Sequence, residues 1–335
     1  MRNVLRLDES RSARPVWLSA SAVALAAAVA GTAGIAAGPG KAATRHAAKA
    51  SHTHKLDRFK HPKLRHGALT IEGTEASDRI ALRLQAGDPG VLQVDVGDDG
   101  SADFSFERAD VASIAVDAAE GDDSVRIDES NGAFTDTIPT TIDGGPGDDT
   151  IAGGKGVETL RGGDGNDTID GNGGNDTADL GAGDDTFVWD PGDGSDTIEG
   201  QDGTDRMIFN GAAGAEQMDL SANGNRLKFF RTQGNVTMDT AGVELVDVNA
   251  LGGATGDGQA DRVVVNGTNG DDTIRAFGDA TEVTAKGLDP LVAIRHSEGA
   301  NDRLEINTLA GTDSVQSAGL TAGAIQLFVD GLLVP

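Results

Sequence analysis

The feature that most constrains the fold of this chain is a nine-residue period that runs from residue 144 to residue 208. Seven units follow one another, and two extra residues, Trp189 and Asp190, interrupt them once. The fourth place of every unit is glycine, the sixth place is acidic and the eighth place is apolar. A period of this kind predicts a stack of short, similar elements rather than a conventional globular core.

The end of each unit predicts a short strand. Its last three residues alternate between polar and apolar side chains, as in Thr168-Ile169-Asp170, which is typical of a strand with one buried face. Because a single strand of this length is not stable alone, we expect stacked copies to bury the eighth-place side chains in one shared column. The glycines allow positive φ in the turns and let neighbouring backbones approach closely.

The repeat block is strongly acidic, with 16 acidic residues against 3 basic ones in residues 144–208. Residues 67–335 as a whole hold 51 acidic and 15 basic residues. Two carboxylates about 4 Å apart repel each other by roughly 1 kcal/mol even in water, and the chain has no cysteine to hold the fold by disulfides. This charge argues against nucleic acid and anionic membranes as partners and favours cations.

Tight glycine turns with a carboxylate at a fixed place predict an all-oxygen cation site. Backbone carbonyls and carboxylates are the ligands that calcium prefers, whereas zinc would need histidine or cysteine, and the block contains neither. The residues expected to form the metal sites are Asp149, Asp167, Asp176, Asp185, Asp196, Asp205, Gly144, Gly147, Gly162, Gly165 and Gly183.

Units such as "GGPGDDTIA" and "GGDGNDTID" resemble the GGxGxDxUx nonapeptide of the RTX, or haemolysin-type, calcium-binding repeat family. The strict resemblance covers residues 144–208, about a fifth of the chain. It implies a parallel β-roll in which two nonapeptides make one turn and several calcium ions lie in the loops between stacked turns. Toxin or pore activity is not implied, since no pore-forming region is visible.

If two units make a turn, the loops divide between two edges of the roll. The first edge would stack Asp149, Asp167 and Asp185, and the second edge would stack Glu158, Asp176 and Asp196. We expect weaker calcium binding on the second edge for two reasons. Glu158 is one methylene longer than aspartate, and the two inserted residues are expected to shift Asp196 out of register.

The flanks repeat the pattern more loosely. An apolar residue is followed nine places later by another, with an acid two places before the second. The instances are Ile71/Asp78/Ile80, Val116/Asp123/Val125, Val265/Asp272/Ile274 and Ile306/Asp313/Val315. We interpret residues 67–143 and 209–335 as β-rich, less regular continuations of the roll, which makes the body all-β. Separate β domains on either side of the roll are the alternative.

The N-terminus predicts export. Residues 1–43 carry four arginines followed by an uncharged run over residues 16–40, which is typical of a signal peptide cleaved after Ala30, Ala37 or Ala43. A retained membrane anchor is the alternative. Residues 44–66 are interpreted as a basic, histidine-rich linker, or as a segment that docks to an anionic polymer. Export would place the protein outside the cell or at its surface, where calcium is plentiful.

The sequence offers little sign of catalysis or of a small-molecule substrate. It has no HExxH, GxSxG or P-loop motif, and its one histidine after residue 66, His296, is expected to be a surface residue near a turn. We therefore expect a structural or surface-interaction role, with cell-envelope or extracellular polymers as possible partners. The alternative is a calcium-dependent lyase or epimerase acting on polysaccharide, with a groove built from Arg79, Arg83, Arg275 and Arg295.

Overall fold

A computed structural model describes residues 59–249 and 258–335 of the chain. The predicted signal peptide and most of the predicted linker lie outside the described residues. Over the two described ranges the only helical segments are two 3₁₀ turns, Arg108–Asp110 and Gln233–Asn235. In the same ranges no helix is long and apolar enough to cross a membrane.

The described residues otherwise form short β-strands joined by tight turns. In chain order the strands are β1 (Lys63–Arg65), β2 (Ala68–Thr74), β3 (Arg79–Gln85), β4 (Asp88–Val96), β5 (Phe104–Glu107), β6 (Ser113–Ala119), β7 (Ser124–Asp128), β8 (Thr140–Pro146), β9 (Thr150–Ala152), β10 (Glu158–Asp164), β11 (Thr168–Asp170), β12 (Thr177–Ala182), β13 (Thr186–Trp189), β14 (Thr197–Asp202), β15 (Arg206–Asn210), β16 (Gln217–Asn223), β17 (Arg226–Arg231), β18 (Val236–Ala241), β19 (Leu245–Asn249), β20 (Arg262–Asn266), β21 (Thr273–Asp279), β22 (Glu282–Lys286), β23 (Leu291–Arg295), β24 (Arg303–Asn307), β25 (Ser314–Leu320), β26 (Gln326–Val329) and β27 (Leu332–Leu333).

Successive strands of the repeat block alternate between two large sheets. One sheet has fourteen strands in the order β1-β2-β6-β8-β10-β12-β14-β18-β17-β16-β20-β24-β26-β27. The other has thirteen, in the order β25-β21-β22-β23-β19-β15-β13-β11-β9-β7-β3-β4-β5. Within the block each strand pairs in parallel with the next strand of its own sheet, as β10 does with β12 and β11 with β13. The predicted all-β parallel roll is confirmed.

The register of the block is eighteen residues per turn. Leu160 lies beside Ala178 in one sheet, and Ile151 lies beside Ile169 in the other, so two nonapeptides make one turn as the resemblance implied. All seven eighth-place side chains are buried, and none is more than 1% exposed. They form the predicted column between the sheets, because each turn adds one such side chain from each sheet.

The two inserted residues do not break the register, so the expected displacement of Asp196 is wrong. Thr177 still lies beside Thr197 across β12 and β14. The strand β13 and the turn after it take up the extra length. The Trp189 ring stacks on Phe209 with their centroids 4.1 Å apart, and its Nε1–H donates to the Gly194 carbonyl at 2.9 Å.

The flanking strands belong to the same two sheets as the repeats. Ile71 lies beside Val116, and Val265 lies beside Ile306, so each loose unit seen in the sequence occupies one turn. These turns are longer than eighteen residues because antiparallel hairpins are inserted into them. The hairpins are β3–β4–β5, β16–β17–β18 and β21–β22–β23.

The sheet begins before residue 67, inside the segment interpreted as a linker. The strand β1 pairs antiparallel with β2, with Leu64 beside Leu69. Phe59 is only 4% exposed and belongs to the core. The basic composition of this segment gave no indication of a strand. Its lysines Lys60 and Lys63 point outward and form ion pairs with Glu72 at 3.0 and 2.9 Å.

Candidate calcium-binding loops

The sixth-place carboxylates lie where each loop enters its strand. Asp149, for example, immediately precedes β9, and Asp167 immediately precedes β11. Although these loops lie at the edges of the roll, their carboxylates are buried. The six predicted aspartates, each at most 2% exposed, are Asp149, Asp167, Asp176, Asp185, Asp196 and Asp205.

On the first edge these carboxylates form a continuous ladder. The N–H of Asp149 donates to Asp167 Oδ1 at 2.8 Å, and the N–H of Asp167 donates to Asp185 Oδ1 at 2.7 Å. The ladder extends to Asp205, whose Oδ1 accepts the Asp185 N–H at 3.0 Å, and in the other direction to Asp123, whose N–H donates to Asp149 at 2.7 Å. Each carboxylate therefore joins its own turn to the preceding one.

The second edge has the same ladder. The N–H of Glu158 donates to Asp176 Oδ1 at 2.7 Å, and the N–H of Asp176 donates to Asp196 Oδ1 at 2.8 Å. The structure thus brings together the residues that the sequence assigned to each edge. With Asp196 in register, one of the two reasons for expecting weaker binding on this edge no longer holds.

The second carboxylate oxygen of the six aspartates has no partner. In Asp149, Asp167, Asp176, Asp185, Asp196 and Asp205 the Oδ2 atom is buried and accepts no hydrogen bond. A buried polar atom without a partner costs about 1–3 kcal/mol, and more when the group is charged. Such a repeated deficit is what a set of bound cations would remove.

The first-place glycines leave room beside these oxygens. A Cβ placed on Gly162 would lie 2.3 Å from Asp167 Oδ2 and 2.2 Å from the Leu180 carbonyl oxygen of the next turn. A Cβ on Gly144 would lie 2.3 Å from Asp149 Oδ2 and 2.6 Å from the Gly162 carbonyl oxygen. A carboxylate oxygen and a carbonyl oxygen therefore flank one small space that any side chain would fill.

The fourth-place glycines are required by both conformation and contact. Gly147, Gly165 and Gly183 have φ of +142°, +138° and +142°, which other residues rarely adopt. A Cβ on Gly165 would lie 2.0 Å from the Gly147 carbonyl oxygen, and one on Gly183 would lie 1.9 Å from that of Gly165. These glycines let the loop backbones stack directly on one another.

Side chains alone do not build a metal cluster here. Across residues 59–249 and 258–335, no three aspartate, glutamate or histidine side chains converge on one point. A cation in these loops would therefore take its other ligands from backbone carbonyls. Calcium accepts such mixed oxygen shells with varied geometry, and the donor set fits calcium rather than zinc.

Two of the flanking loops satisfy the second oxygen with a main-chain donor of their own, a difference that sequence reasoning missed. The Thr74 N–H donates to Asp78 Oδ2 at 2.8 Å, and the Thr268 N–H donates to Asp272 Oδ2 at 2.7 Å. In both cases the donor is four residues before the acid, at the second place of the unit. Both loops keep the carboxylate ladder, since the Asp78 N–H donates to Asp123 Oδ1 at 2.6 Å and the Asp272 N–H donates to Asp313 Oδ1 at 2.8 Å.

The backbone at the second place separates the two kinds of loop. In the six units whose aspartate has a partnerless oxygen, the second-place residue has positive φ. These residues are Gly145, Gly163, Asn172, Gly181, Gly192 and Gln201. Thr74, Thr268 and Gly154 do not have positive φ, and each donates its N–H to the acid of its own unit. Glycine or asparagine at this place is the signal that the sequence offered, although Gly154 shows that it is not sufficient and Gln201 that it is not necessary.

Burial changes the ionisation of the aspartates. Loss of solvent, with neighbouring carboxylates adding to it, raises the pKa of Asp149 and Asp167 to about 7 and the pKa of Asp176 to about 8. The same causes raise the pKa of Asp185. Without a cation, the roll is therefore most compatible with protonated carboxyl groups.

A parallel β-roll with oxygen-lined loops at its edges defines a class of cation-binding repeat proteins. Residues 141–157, 153–187 and 192–214 match the RTX calcium-binding nonapeptide repeat, in four copies. The chain therefore contains RTX calcium-binding repeats, as the resemblance predicted. All six aspartates lie within the matched residues. No curated protein matches the chain.

The arginines considered for a catalytic groove do not meet. Arg79 and Arg83 lie on β3, whereas Arg275 and Arg295 lie on β21 and β23 near the other end of the thirteen-stranded sheet. Arg83 pairs with the buried Asp95 at 2.8 Å, and Arg295 pairs with Asp247 at 3.1 Å.

His296 is an exposed turn residue with φ of +55°. Its predicted place near a surface turn is confirmed.

Substitution of Asp167 by asparagine should weaken calcium binding without removing the ladder. Asparagine keeps the Oδ1 acceptor for the Asp149 N–H but replaces the partnerless oxygen with an amide. We expect calorimetric titration to show fewer calcium equivalents or affinity reduced roughly tenfold or more, since even loss of a supporting group costs 10–100-fold at metal sites. Asp164→Asn, an exposed residue of the same unit with the same charge change, is the control, and equal effects would contradict the assignment.

The calcium-free protein should become more stable on acidification. The pKa of Asp167 is about 7 in the fold against about 3.9 in an unfolded chain, so the fold binds more protons between these values and its stability falls as pH rises through them. Thermal unfolding of calcium-free protein at pH 5.5 and pH 8 tests this. Asp167→Asn should reduce the difference, Asp164→Asn should not, and greater stability at pH 8 would contradict it.

Proposed function

We propose that this chain is an exported protein whose β-roll folds when calcium binds to the loops of residues 144–208, and that it serves a structural or surface-interaction role. The observation that carries the proposal is the set of six buried aspartate oxygens without a partner. The matching of these residues to a calcium-binding repeat supports it. The ligands proposed are the six aspartates together with carbonyls of the glycine loops.

The energetics of the block support coupling between calcium and folding. Each nonapeptide buries one eighth-place apolar side chain, which is worth roughly 1.5–3 kcal/mol for a large residue. Ordering the backbone costs roughly 1–2 kcal/mol for each residue, and the sixteen acids of the block repel one another. A metal that binds only the folded form then contributes its binding free energy to folding.

Calcium titration of the full mature chain, followed by far-UV circular dichroism, tests this coupling. We expect the β signal to rise with calcium, with a midpoint on the order of 10⁻⁴–10⁻³ M, the range of extracellular modules. Magnesium is the control, because its smaller, near-octahedral shell does not suit such loops. A β signal of full strength in calcium-free buffer would contradict the coupling.

Export is proposed from the N-terminal sequence, which lies outside the described residues. RTX repeat proteins are typically secreted, which supports this proposal. Mass spectrometry of protein from the culture medium should find an N-terminus between residues 31 and 44. Recovery of the chain only in the membrane fraction, with Met1 retained or with the run over residues 16–40 intact, would support the anchor instead.

A cationic cavity supports the surface-interaction role. It has a volume of about 650 Å³ and is lined in part by Arg275, Phe277, Lys286 and Gln316. Arg275 and Lys286 lie directly opposite each other on β21 and β22, an arrangement that is normally unfavourable for like charges. Among the described residues neither has an ion pair, and Phe277 is 39% exposed.

This arrangement fits an acidic polysaccharide. Carboxylates would neutralise the two cations, and the exposed Phe277 ring offers a flat surface to a sugar. The residues that line the cavity include no aspartate or glutamate, so a carboxylate ligand would meet no like charge among them.

Replacing both Arg275 and Lys286 by alanine should weaken binding to a uronate polymer such as hyaluronate, measured by affinity electrophoresis in saturating calcium. The matched control replaces Arg79 and Lys228, which are exposed elsewhere, and should leave binding unchanged. Equal loss in both variants would show that only net charge matters. Depolymerisation of the polymer by the parent protein would favour the enzyme.

A further inference from the structure

Two buried glutamates lie together at the N-terminal end of the second edge. Glu129 follows β7 and is 9% exposed, and Glu158 begins β10 and is 1% exposed. Glu158 occupies the sixth place of its unit, but its carboxylate accepts the N–H of Gly154, the second-place residue of the same unit. Glu129 lies outside the nonapeptide block and before the first residue that matches the repeat.

Thr135 brings the two carboxylates together. Its hydroxyl donates to Glu129 Oε1 at 3.0 Å and lies beside the Glu158 carboxylate as well. The N–H groups of Lys155 and Gly156 donate to the same hydroxyl oxygen at 3.1 and 3.0 Å. Because a hydroxyl has a single proton, it can satisfy only one of the two carboxylates at a time.

The protein supplies donors for one oxygen of each glutamate and none for the other. Glu129 Oε1 also accepts the N–H groups of Phe134 and Thr135 at 2.7 and 2.9 Å, and Glu158 Oε2 accepts the Gly154 N–H at 2.9 Å. Glu129 Oε2 and Glu158 Oε1 are buried and accept no hydrogen bond. Over the described part of the chain, neither glutamate forms a salt bridge with a lysine or arginine.

We propose that Glu129 and Glu158 hold one further calcium ion between the loop of residues 129–135 and the loop of residues 153–158. Two buried carboxylates with partnerless oxygens and no cationic side chain would be stabilised by a positive ion, and an all-oxygen environment favours a hard one. The site is distinct from those of the six aspartates and relies on the proposed function only for the identity of the ion.

The position of this site gives it a structural purpose. On the first edge the carboxylate ladder continues beyond the repeats to Asp123 and Asp78. On the second edge the N–H of Glu158 donates forward to Asp176, but the Glu158 carboxylate accepts the N–H of its own Gly154. An ion shared with Glu129 would connect this edge to the preceding turn. On the first edge the carboxylate ladder makes that connection.

Glu129→Gln in the full chain tests the site, because glutamine keeps the acceptor for Phe134 and Thr135 while removing the charge. Calorimetric titration should show one fewer calcium equivalent than in the parent. Glu120→Gln, an exposed glutamate with the same charge change, is the matched control and should leave the stoichiometry unchanged. A stoichiometry equal to that of the parent would overturn the proposal.

Thermal unfolding separates a metal ligand from a purely structural glutamate. If Glu129 binds calcium, Glu129→Gln should reduce the rise in unfolding temperature between limiting and saturating calcium, because one bound ion fewer stabilises the fold. A purely structural role would lower the unfolding temperature equally at every calcium concentration and would overturn the proposal. Loss of calcium by Asp167→Asn but not by Glu129→Gln would refute this site alone, whereas a parent that binds no calcium would refute the proposed function too.

Discussion

Each turn of the repeat block is tied to the preceding one by a buried carboxylate that accepts a main-chain N–H. The bonds of 2.7–3.0 Å through Asp167, Asp185 and Asp205 show the pattern. This interaction places a row of anionic groups inside a thin two-sheet stack, and it leaves one oxygen of each carboxylate to be satisfied. The fold then depends on what provides for that second oxygen, because a buried charge without a partner is costly.

The loops of the chain differ in how they treat this second carboxylate oxygen. In flanking loops such as that of Asp78, a main-chain N–H four residues earlier serves the second oxygen. In the loops of the six aspartates, positive φ at the second place, as at Gly163, accompanies an oxygen without a partner. The same ladder therefore runs through loops that satisfy both carboxylate oxygens with protein donors and loops that leave one oxygen without a partner. Under the proposed function, cations bind in the second kind of loop.

The sequence predicted the regular part of the structure well, because a fixed period determines register, the buried column and the two edges. Prediction from the sequence failed where packing between residues distant in the chain determines the structure. The insertion at Trp189 looked disruptive, yet its ring stacks on Phe209, which is twenty residues away. The hairpins of the flanking turns, the strand β1 and the meeting of Glu129 with Glu158 at Thr135 likewise have no local signal. The sequence could not show which loops leave an oxygen without a partner, because this depends on backbone angles. Gly154 and Gly163 are both second-place glycines, but only Gly163 has positive φ.

Hydrogen exchange of the full chain, resolved by segment, tests the central claim most directly. In calcium-free buffer at pH 8, amides of residues 144–208 should exchange rapidly, and in saturating calcium they should be protected. Amides of the flanking strands β2 and β3, which are joined by the loop of Asp78, should remain protected in both conditions, because a main-chain N–H satisfies the second oxygen of Asp78. Strong protection of the repeat block without calcium, or equal loss of protection in the block and in these flanking strands, would contradict the account.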